Sequence, residues 1–535
     1  MSTGKSSHHH SHKQIAKSAG IIGFATLISR ILGFIRDVVI ARLFGVYVYA
    51  QAFVIAFKIP NLFRDLLGEG AGNAAIIPVF SEYTVKHTKE EFWELVNVIL
   101  NLLLIALTAL TILGILFSPV IVRLVAPGFA SDPQKLAVTI KLSRLVFPYI
   151  LLVSLAAYAM AVLNSLKHFS IPAFAPCLLN ISIIAFALIF GEGTKGLATG
   201  ILVGGVLQLA IQIPVLYKKG FRLSLFKRFR HPAAKTIGKL MLPRLLSSCI
   251  YQLNNFVDTI FGSLVSIVGE GGVAGLYFAY RLILFPLGIF STSLSQAILP
   301  TLSTHALEDN HDKLKHALSF GLRATSFVLV PSTVAFMVLA HPIIATIFKG
   351  GKFDAYSASL TADVLFFYSI GLFAYGSTRI LQSCFFALKD TVTPTKNSLL
   401  ALIMNIVLNS ILMFPMKLAG IALATSISGI CSFIVLFLRL KRKIGDFRIE
   451  EIVDSFMRIV AASLLMGVIC YLLSQIDIFP ATTTAFRFLN LGIVILAGLI
   501  SYMIFCFIFR VREMRDLWEM VVKKGLYPKG TVPEA

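Results

Sequence analysis

Apolar runs of 18 or more residues recur from one end of this sequence to the other, and they constrain the fold more than any other feature. Each run is long enough to cross the roughly 30 Å hydrocarbon core of a bilayer as a helix. Only 14% of the 535 residues are charged, whereas an average soluble domain carries about 25%. No soluble core could bury so much apolar surface, so the sequence predicts an integral membrane protein.

The predicted fold class is all-α, because lipid offers no hydrogen-bond partner to an open backbone. We predict about 14 transmembrane helices. Lys and Arg are concentrated after the sixth, twelfth and last spans, and are scarce in loops 44–48, 126–137 and 268–272. Basic loops face the cytoplasm, so both termini are predicted to be cytoplasmic. The net charge of +22 then reflects attraction to anionic headgroups and not to nucleic acid.

The chain also repeats itself. Residues 163–174 ("LNSLKHFSIPAF") resemble residues 384–396 ("CFFALKDTVTPTK"), which aligns Lys167 with Lys389 at a spacing of 222. Each repeat holds six predicted spans, and an even number gives both repeats the same orientation in the membrane. We therefore expect two six-helix lobes, related by an axis along the membrane normal, around a central cavity. Two further C-terminal helices lie outside the repeat.

The predicted organisation has six parts. They are a cytoplasmic tail (1–17), an N-lobe with spans 1–6 (18–220), a basic cytoplasmic linker (221–236), a C-lobe with spans 7–12 (237–443), spans 13 and 14 (444–512) and a cytoplasmic C-terminal tail (513–535).

Span 1 places charged side chains within an apolar helix, "IIGFATLISRILGFIRDVVIARLFG". Arg30, Arg36 and Asp37 stand there, although an unpaired charge at membrane depth costs at least about 2.5–3.5 kcal/mol. At the helical angle per residue, Arg36 points about 120° away from Arg30. Either the cavity is wide at this level, or one of the two arginines pairs within the protein.

Spans 2 and 8 carry further buried charges. Lys58 and Arg64 flank Pro60, which removes a helical hydrogen bond, and Arg281 lies about two turns inside span 8. Glycines follow Arg64, so the sequence predicts a helix break at this depth, where backbone must line protein or water.

These cations have two interpretations. In the first they pair with acids of the chain or reach the interface; the acids are Asp37, Asp65, Glu69 and Asp258. In the second, several arginines converge on an anion, because guanidinium groups stay charged and bind phosphate oxygens in bidentate fashion.

A second polar set lies on the later spans. Asp258 is a lone acid in span 7, and Asn405, Asn409 and Thr425 offer neutral oxygens. Together they could hold a monovalent cation. The alternative is simple hydrogen bonding between helices.

No enzyme motif is found: the sequence has no Walker A, HExxH or GxSxG pattern. We therefore expect no enzyme, no metal site and no organic cofactor. Without an ATP site, transport must draw on an ion gradient, the membrane potential or the substrate gradient.

Two segments resemble a known family. Residues 29–83, beginning "SRILGFIRDVVIARLFG" and ending "IIPVFSEY", and residues 277–290, "YFAYRLILFPLGIF", resemble the MurJ/MviN family of lipid II flippases in the multidrug/oligosaccharidyl-lipid/polysaccharide exporter superfamily. The resemblance implies a V-shaped fold that works by alternating access in the bacterial inner membrane. It implies transfer of lipid II, an undecaprenyl-pyrophosphate-linked disaccharide-pentapeptide, from the inner to the outer leaflet.

The resemblance also implies functional residues. Spans 13 and 14 would form a groove for the polyprenyl tail. Partners would be lipid II, membrane lipids and, as a further class, cell-wall synthesis proteins. The expected substrate-binding set comprises Ser29, Arg30, Arg36, Asp37, Lys58, Arg64 and Arg281.

Two positions depart from the family pattern. Gln51 and Tyr280 stand where many members carry an acid, so any gating or coupling role of those acids must be met otherwise. Three alternatives stay open at this point: a flippase for another polyprenyl-linked oligosaccharide, a cation or drug antiporter of the same superfamily, and a scaffold that recruits wall-synthesis proteins.

Overall fold

The computed structural model describes six stretches of the chain: residues 4–64, 71–225, 229–308, 310–476, 478–480 and 483–515. It contains two compact units. The first is Met1–Ala274 together with Gly350–Phe353, and the second is Gly275–Lys349 together with Asp354–Ala535. Helices make up both units, and no strand is found in the six described stretches, as the fold class predicted.

The described part of the first unit contains eleven α-helices. They are α1 (Gly4–Phe44), α2 (Val48–Arg64), α3 (Ala71–Lys86), α4 (Lys89–Val125), α5 (Pro133–Val146), α6 (Pro148–Ser165), α7 (Ser170–Phe190), α8 (Thr194–Ala210), α9 (Ile213–Lys218), α10 (Pro232–Gly262) and α11 (Val265–Val268), with a 3₁₀ turn at Pro127–Ser131.

The second unit begins within α12 and contains the remaining helices. They are α12 (Gly272–Pro286), α13 (Thr292–Leu307), α14 (His311–Val338), α15 (Ala340–Ile347), α16 (Ala355–Ile370), α17 (Leu372–Ala387), α18 (Val392–Ile444), α19 (Ile449–Ser474) and α20 (Thr484–Ile508), with a π-helical turn at Leu287–Ser291 between α12 and α13.

Helix α18 is a hairpin of two arms. Its backbone breaks at Lys417, which adopts φ 52° and ψ −130°. Asn397 Nδ2 donates to the carbonyl of Ser432 at 3.2 Å, and Asn405 Nδ2 donates to Thr425 Oγ1 at 2.9 Å. The residue numbers rise on one arm as they fall on the other, so the arms are antiparallel. Both ends of α18 therefore lie at one end of the hairpin.

Each unit has its own apolar core, yet its surface is apolar too. In the first unit, buried side chains of α3, α4 and α6 pack together around Phe80, Leu95 and Leu163. Further along α4, Leu116 and Leu124 are two-thirds exposed. A soluble protein would not leave such a band uncovered, whereas a bilayer covers it with acyl chains.

The internal repeat is confirmed at the level of the backbone. Lys167 and Lys389 each adopt the left-handed conformation at φ 58°, which a non-glycine residue rarely does. The same hydrogen bond closes both turns: His168 N donates to the Leu163 carbonyl, and Asp390 N donates to the Phe385 carbonyl, at 2.9 Å in each case. The spacing of 222 thus holds residue by residue through this turn.

Nine helices among the described residues are long and apolar enough to cross a membrane, or ten if the bent pair α16 and α17 is one span. Helix α18 counts once in that number although its two arms are separate helices. Three further predicted spans, 18–43, 48–67 and 237–267, coincide with α1, α2 and α10. Helix α2 has only 17 residues, and α1 and α10 carry several cations. The total of 14 therefore stays a prediction.

The predicted lobe boundaries also stay predictions. The compact first unit extends to Ala274, because α10 packs against α3 and α4, whereas the sequence places the start of the second lobe at residue 237. Asp65 and Glu69, two of the acids that could pair with the cations, lie outside the described residues. The same is true of Gly68 and Gly70, which belong to the predicted helix break after Arg64.

Candidate functional site

The charged side chains of α1 lie in different surroundings. Arg30 is exposed, and it forms no ion pair or hydrogen bond with any residue that the structure describes. One and a half turns later, Arg36 and Asp37 are 3% and 1% exposed. The helix thus passes from an open environment into the packed interior of the first unit.

Arg36 is held on several sides by the protein. Its Nη2 and Nε atoms donate to Asp37 Oδ1 at 2.8 and 3.0 Å, and Nη1 donates to Asn180 Oδ1 of α7 at 3.1 Å. The guanidinium carbon lies 5.9 and 5.4 Å from the ring centroids of Phe53 and Phe57 in α2. Of the two alternatives drawn from the sequence, the structure therefore shows pairing within the protein. This position favours a structural role for Arg36 and Asp37, joining α1, α2 and α7.

Asn180 also fixes the neighbouring turn of α1. Its Nδ2 donates to the backbone carbonyl of Ser29 at 3.2 Å, and a side chain at Gly33 would contact the same amide at 3.6 Å. The predicted residue Ser29 thus lies at a close helix contact, with Arg30 on the exposed side of that contact.

Lys58 of α2 faces α10. Its Nζ donates to Thr259 Oγ1 and lies 4.9 Å from the ring centroid of Phe256. Asp258 is close enough for charge attraction. The predicted substrate ligand Lys58 and the predicted cation ligand Asp258 therefore lie in one cluster of the first unit. Arg64, the last residue of α2, takes part in further interactions at the edge of the described segment.

In the second unit, Arg281 contacts an aromatic residue of its own helix. Its Nη2 donates to the Tyr277 hydroxyl at 2.9 Å, and its guanidinium carbon lies 5.0 Å from the Tyr277 ring centroid. Tyr280 turns to another neighbour, with its ring 5.7 Å from that of Tyr368. The phenol therefore contacts the guanidinium of Arg281 by a hydrogen bond and through its ring, and Arg281 takes part in further interactions as well.

Gln51, the first departure from the family pattern, belongs to a partly buried polar cluster at loops that the sequence predicts to be on the non-cytoplasmic side. Gln51 Nε2 donates to Glu270 Oε1 at 2.9 Å. Lys135 Nζ donates to both oxygens of Glu270, at 2.7 and 2.8 Å, and the Lys135 side chain is only 1% exposed. An amide at position 51 therefore supplies a donor to an acid that comes from another part of the chain.

The neutral residues of the predicted cation site form a chain across the α18 hairpin. Asn409 Nδ2 donates to Asn405 Oδ1 at 3.1 Å, and Asn405 Nδ2 donates to Thr425 Oγ1 at 2.9 Å. This is the geometry expected for hydrogen bonding between helices. Asp258 belongs to the first unit, and the cation site stays a prediction.

Two intramembrane arginines were missed in the sequence analysis. Arg323 of α14 donates to Glu513 Oε1 at 2.9 Å, and Ser455 of α19 donates to Glu513 Oε2 at 2.7 Å. Arg379 of α17 donates to Thr292 Oγ1 of α13. Both arginines interrupt apolar spans, so the signal that identified span 1 could have found them.

The chain matches the family model described as "Lipid II flippase MurJ" over residues 40–492. The "Probable lipid II flippase MurJ" of Buchnera aphidicola subsp. Acyrthosiphon pisum is 38% identical over 455 residues, which cover 84% of this chain and 88% of that protein. The "Lipid II flippase MurJ" of Burkholderia cenocepacia is 35% identical over 432 residues, or 79% of this chain and 83% of that protein.

Comparison with solved structures gives the same family. "Lipid II flippase MurJ, inward closed conformation" superposes with a TM-score of 0.76 at 29% identity, covering 93% of this chain and 99% of that one. An inward-facing multidrug resistance MATE family transporter shares the fold alone, with a TM-score of 0.65 at 15% identity over 80% of this chain and 99% of that one. The extent of the family match and the identity to its members show that this multi-pass membrane protein belongs to the lipid II flippase MurJ family.

Proposed function

We propose that the chain moves lipid II from the inner to the outer leaflet of a bacterial cytoplasmic membrane. The observation that carries the proposal is membership of the lipid II flippase MurJ family, over residues 40–492. The physical need is plain, because a charged sugar-pyrophosphate headgroup cannot cross hydrocarbon unaided. The transfer makes and breaks no covalent bond, so the protein is proposed to be a transporter and not an enzyme.

Arg30 and Arg281 are the proposed headgroup ligands. Arg30 is exposed and has no ionic partner among the described residues, and Arg281 belongs to residues 277–290, one of the two segments that resemble the family. A guanidinium in either place can form two parallel hydrogen bonds to a phosphate. Arg36 is proposed to act on the site indirectly, because its donors are engaged by Asp37 and Asn180.

The polyprenyl tail is proposed to lie against α19 and α20. These helices pack on each other, and α19 also packs on α14. Their outer faces present large exposed apolar side chains, including Leu464, Val468 and Leu472 on α19 and Leu496 and Ile500 on α20. Such a surface can hold a long hydrocarbon chain in lipid while the headgroup is carried by alternating access.

Depletion of the protein in growing cells tests the proposed substrate. Lipid II should accumulate with its headgroup in the cytoplasmic leaflet, and outer-leaflet lipid II should fall several-fold. Both pools can be measured by headgroup labelling in spheroplasts. Accumulation of a different polyprenyl-linked oligosaccharide, with unchanged lipid II, would contradict the proposal.

We also propose that both termini are cytoplasmic and that the membrane potential contributes to transport. An inside-negative potential drives an anionic headgroup outward, with about 2.3 kcal/mol for each charge per 100 mV. In ATP-free proteoliposomes, flipping should therefore accelerate several-fold under a potassium diffusion potential of that polarity and slow under the reverse. Lipid II accessibility to an external enzyme gives the rate. Flipping that ignores the potential and requires ATP would reject this coupling.

A further inference from the structure

The second unit has a basic cleft of about 480 Å³ that is separate from the proposed headgroup ligands. It lies where α17 ends and where the two ends of the α18 hairpin meet. Its lining residues are Phe385, Val392, Thr393, Lys396, Arg439, Arg442 and Lys443. Four of these seven side chains are cationic.

One of the four cations is already neutralised. Lys443 Nζ lies 2.6 Å from Asp390 Oδ2, and Thr393 donates to the same carboxylate through its backbone N–H and its hydroxyl, at 3.0 and 2.9 Å. The Lys443 hydrogen bond, with those from Thr393, lowers the pKa of Asp390 to about 2. This aspartate in the loop before α18 is therefore charged at neutral pH and compensates Lys443.

The other three cations have no acidic partner among the residues that the structure describes. Lys396, Arg439 and Arg442 are exposed, and no acid pairs with them within the described part of the chain. Three like charges at one cleft repel one another unless an anion lies between them. The cleft is therefore a site of excess positive potential.

Apolar stripes run away from the cleft along both arms of α18. On the second arm, Ile434 and Leu438 precede Arg442 at intervals of four residues, which places them on one face. On the first arm, Leu399 and Ile403 follow Lys396 at intervals of three and four residues, which also places them on one face. All four apolar side chains are exposed. The surface is thus amphipathic, with the cationic cleft at one end and the two apolar stripes leading away from it.

Two charged residues of this region have uncharged or weakly basic counterparts at the equivalent turn of the first repeat. At the spacing of 222, Phe174 stands in the position of Lys396 and His168 in that of Asp390. The shared turn at Lys167 and Lys389 forms without the charges. The backbone of this turn therefore does not depend on the charges of Lys396 and Asp390.

We propose that this cleft binds the phosphate headgroup of an anionic phospholipid, whose acyl chains lie along the two apolar stripes of α18. Basic pockets between transmembrane helices on the cytoplasmic side bind such headgroups, and the sequence places this end of α18 on that side. Arg439 and Arg442, one turn apart, would contact phosphate oxygens, with Lys396 opposite them. The proposal concerns a bound membrane lipid and does not depend on the transported substrate.

The test compares two triple variants of the full chain. Lys396→Gln/Arg439→Gln/Arg442→Gln neutralises the cleft. The matched control, Lys218→Gln/Lys219→Gln/Lys441→Gln, removes the same charge from exposed lysines outside it. Each purified protein is titrated with phosphatidylglycerol, phosphatidylcholine, inorganic phosphate and undecaprenyl pyrophosphate, and bound lipid is counted by native mass spectrometry. Thermal unfolding in phosphatidylcholine confirms that both variants are folded.

We expect the unmodified chain to bind one phosphatidylglycerol molecule in preference to phosphatidylcholine. The cleft variant should lose at least about tenfold in affinity, since each cation near an anionic surface contributes about fivefold. The control should stay within about twofold. Equal losses in both variants would show diffuse attraction and overturn the proposal, as would no loss in the cleft variant. Displacement of phosphatidylglycerol from the cleft by stoichiometric undecaprenyl pyrophosphate would assign the cleft to the substrate instead, and tight binding of inorganic phosphate alone would exclude a lipid-specific site.

Discussion

Replacing Arg30 with glutamate is expected to abolish lipid II transport while leaving the protein folded. The side chain is exposed and forms no ion pair with the described residues, so little packing is lost. A carboxylate at that position repels the pyrophosphate that a guanidinium would bind. Each hydrogen bond to a charged group contributes about 1.5–3 kcal/mol, which alone predicts a loss of tenfold or more, and repulsion adds to it. The rate of lipid II flipping in proteoliposomes measures the effect.

Arg281→Glu is expected to have the same effect, and conservative and distant variants provide the controls. Arg30→Lys keeps the charge and should retain part of the activity, because an ammonium binds phosphate without the bidentate geometry. Arg123→Glu makes the same charge reversal at an exposed position near the end of α4 and should be tolerated. Full transport by both Arg30→Glu and Arg281→Glu would reject these residues as headgroup ligands.

A different outcome is expected at Arg36. Its guanidinium is buried against Asp37, Asn180 and two phenylalanine rings. Removing it leaves a buried carboxylate without its main partner, which destabilises a protein strongly. Loss of transport by an Arg36 variant would therefore come with loss of folded protein, unlike loss at Arg30.

Glu513→Gln is expected to cause the largest loss of stability, about 3–5 kcal/mol. The Arg323 and Glu513 side chains are 7% and 5% exposed, with 2.9 Å between Nη1 and Oε1. Ser455 binds the second carboxylate oxygen, so the cluster joins α14, α19 and the segment after α20. The Glu513→Gln substitution leaves the Arg323 guanidinium buried without its counter-charge. Breaking a buried ion pair in this way lowers the free energy of unfolding strongly. The midpoint of thermal unfolding in detergent gives the measurement.

Two comparisons show whether the buried charge is the cause. Glu451→Gln weakens the partly exposed contacts with Arg512 and Arg448 and should cost under about 1 kcal/mol, because water screens such pairs. The double variant Arg323→Met/Glu513→Leu should recover most of the loss, since a buried ion pair and a packed apolar pair are often similar in stability. A Glu513→Gln variant no less stable than Glu451→Gln would refute this account.

Features that depend on neighbouring residues could be predicted from the sequence, whereas contacts between residues far apart in the chain could not. The all-helical fold follows from apolar runs and from the need to satisfy every backbone group in lipid. The turn at Lys167 and Lys389 follows from the repeat, and the structure shows the same φ of 58° at both. Family membership followed from residues 29–83 and 277–290, and the match over residues 40–492 confirmed it.

The roles of individual charges could not be read from the sequence alone. Arg30 and Arg36 stand six residues apart in the same apolar helix, yet one is exposed and the other is paired. The partner of Arg36 in α7, Asn180, is 144 residues away. The sequence showed only that Gln51 replaces an acid common in the family. In the structure its amide contacts Glu270, which lies 219 residues further along the chain.

The sequence by itself determined that this chain crosses a membrane as helices, repeats part of its own sequence and belongs to a lipid II flippase family. These properties depend on runs and motifs of neighbouring residues, whose hydrophobicity and backbone demands act locally. Only the tertiary structure decided which cations are neutralised, because an ion pair such as Arg323–Glu513, 190 residues apart, forms when packing brings distant helices together. The charge that is left over for an anionic ligand is therefore a property of the fold.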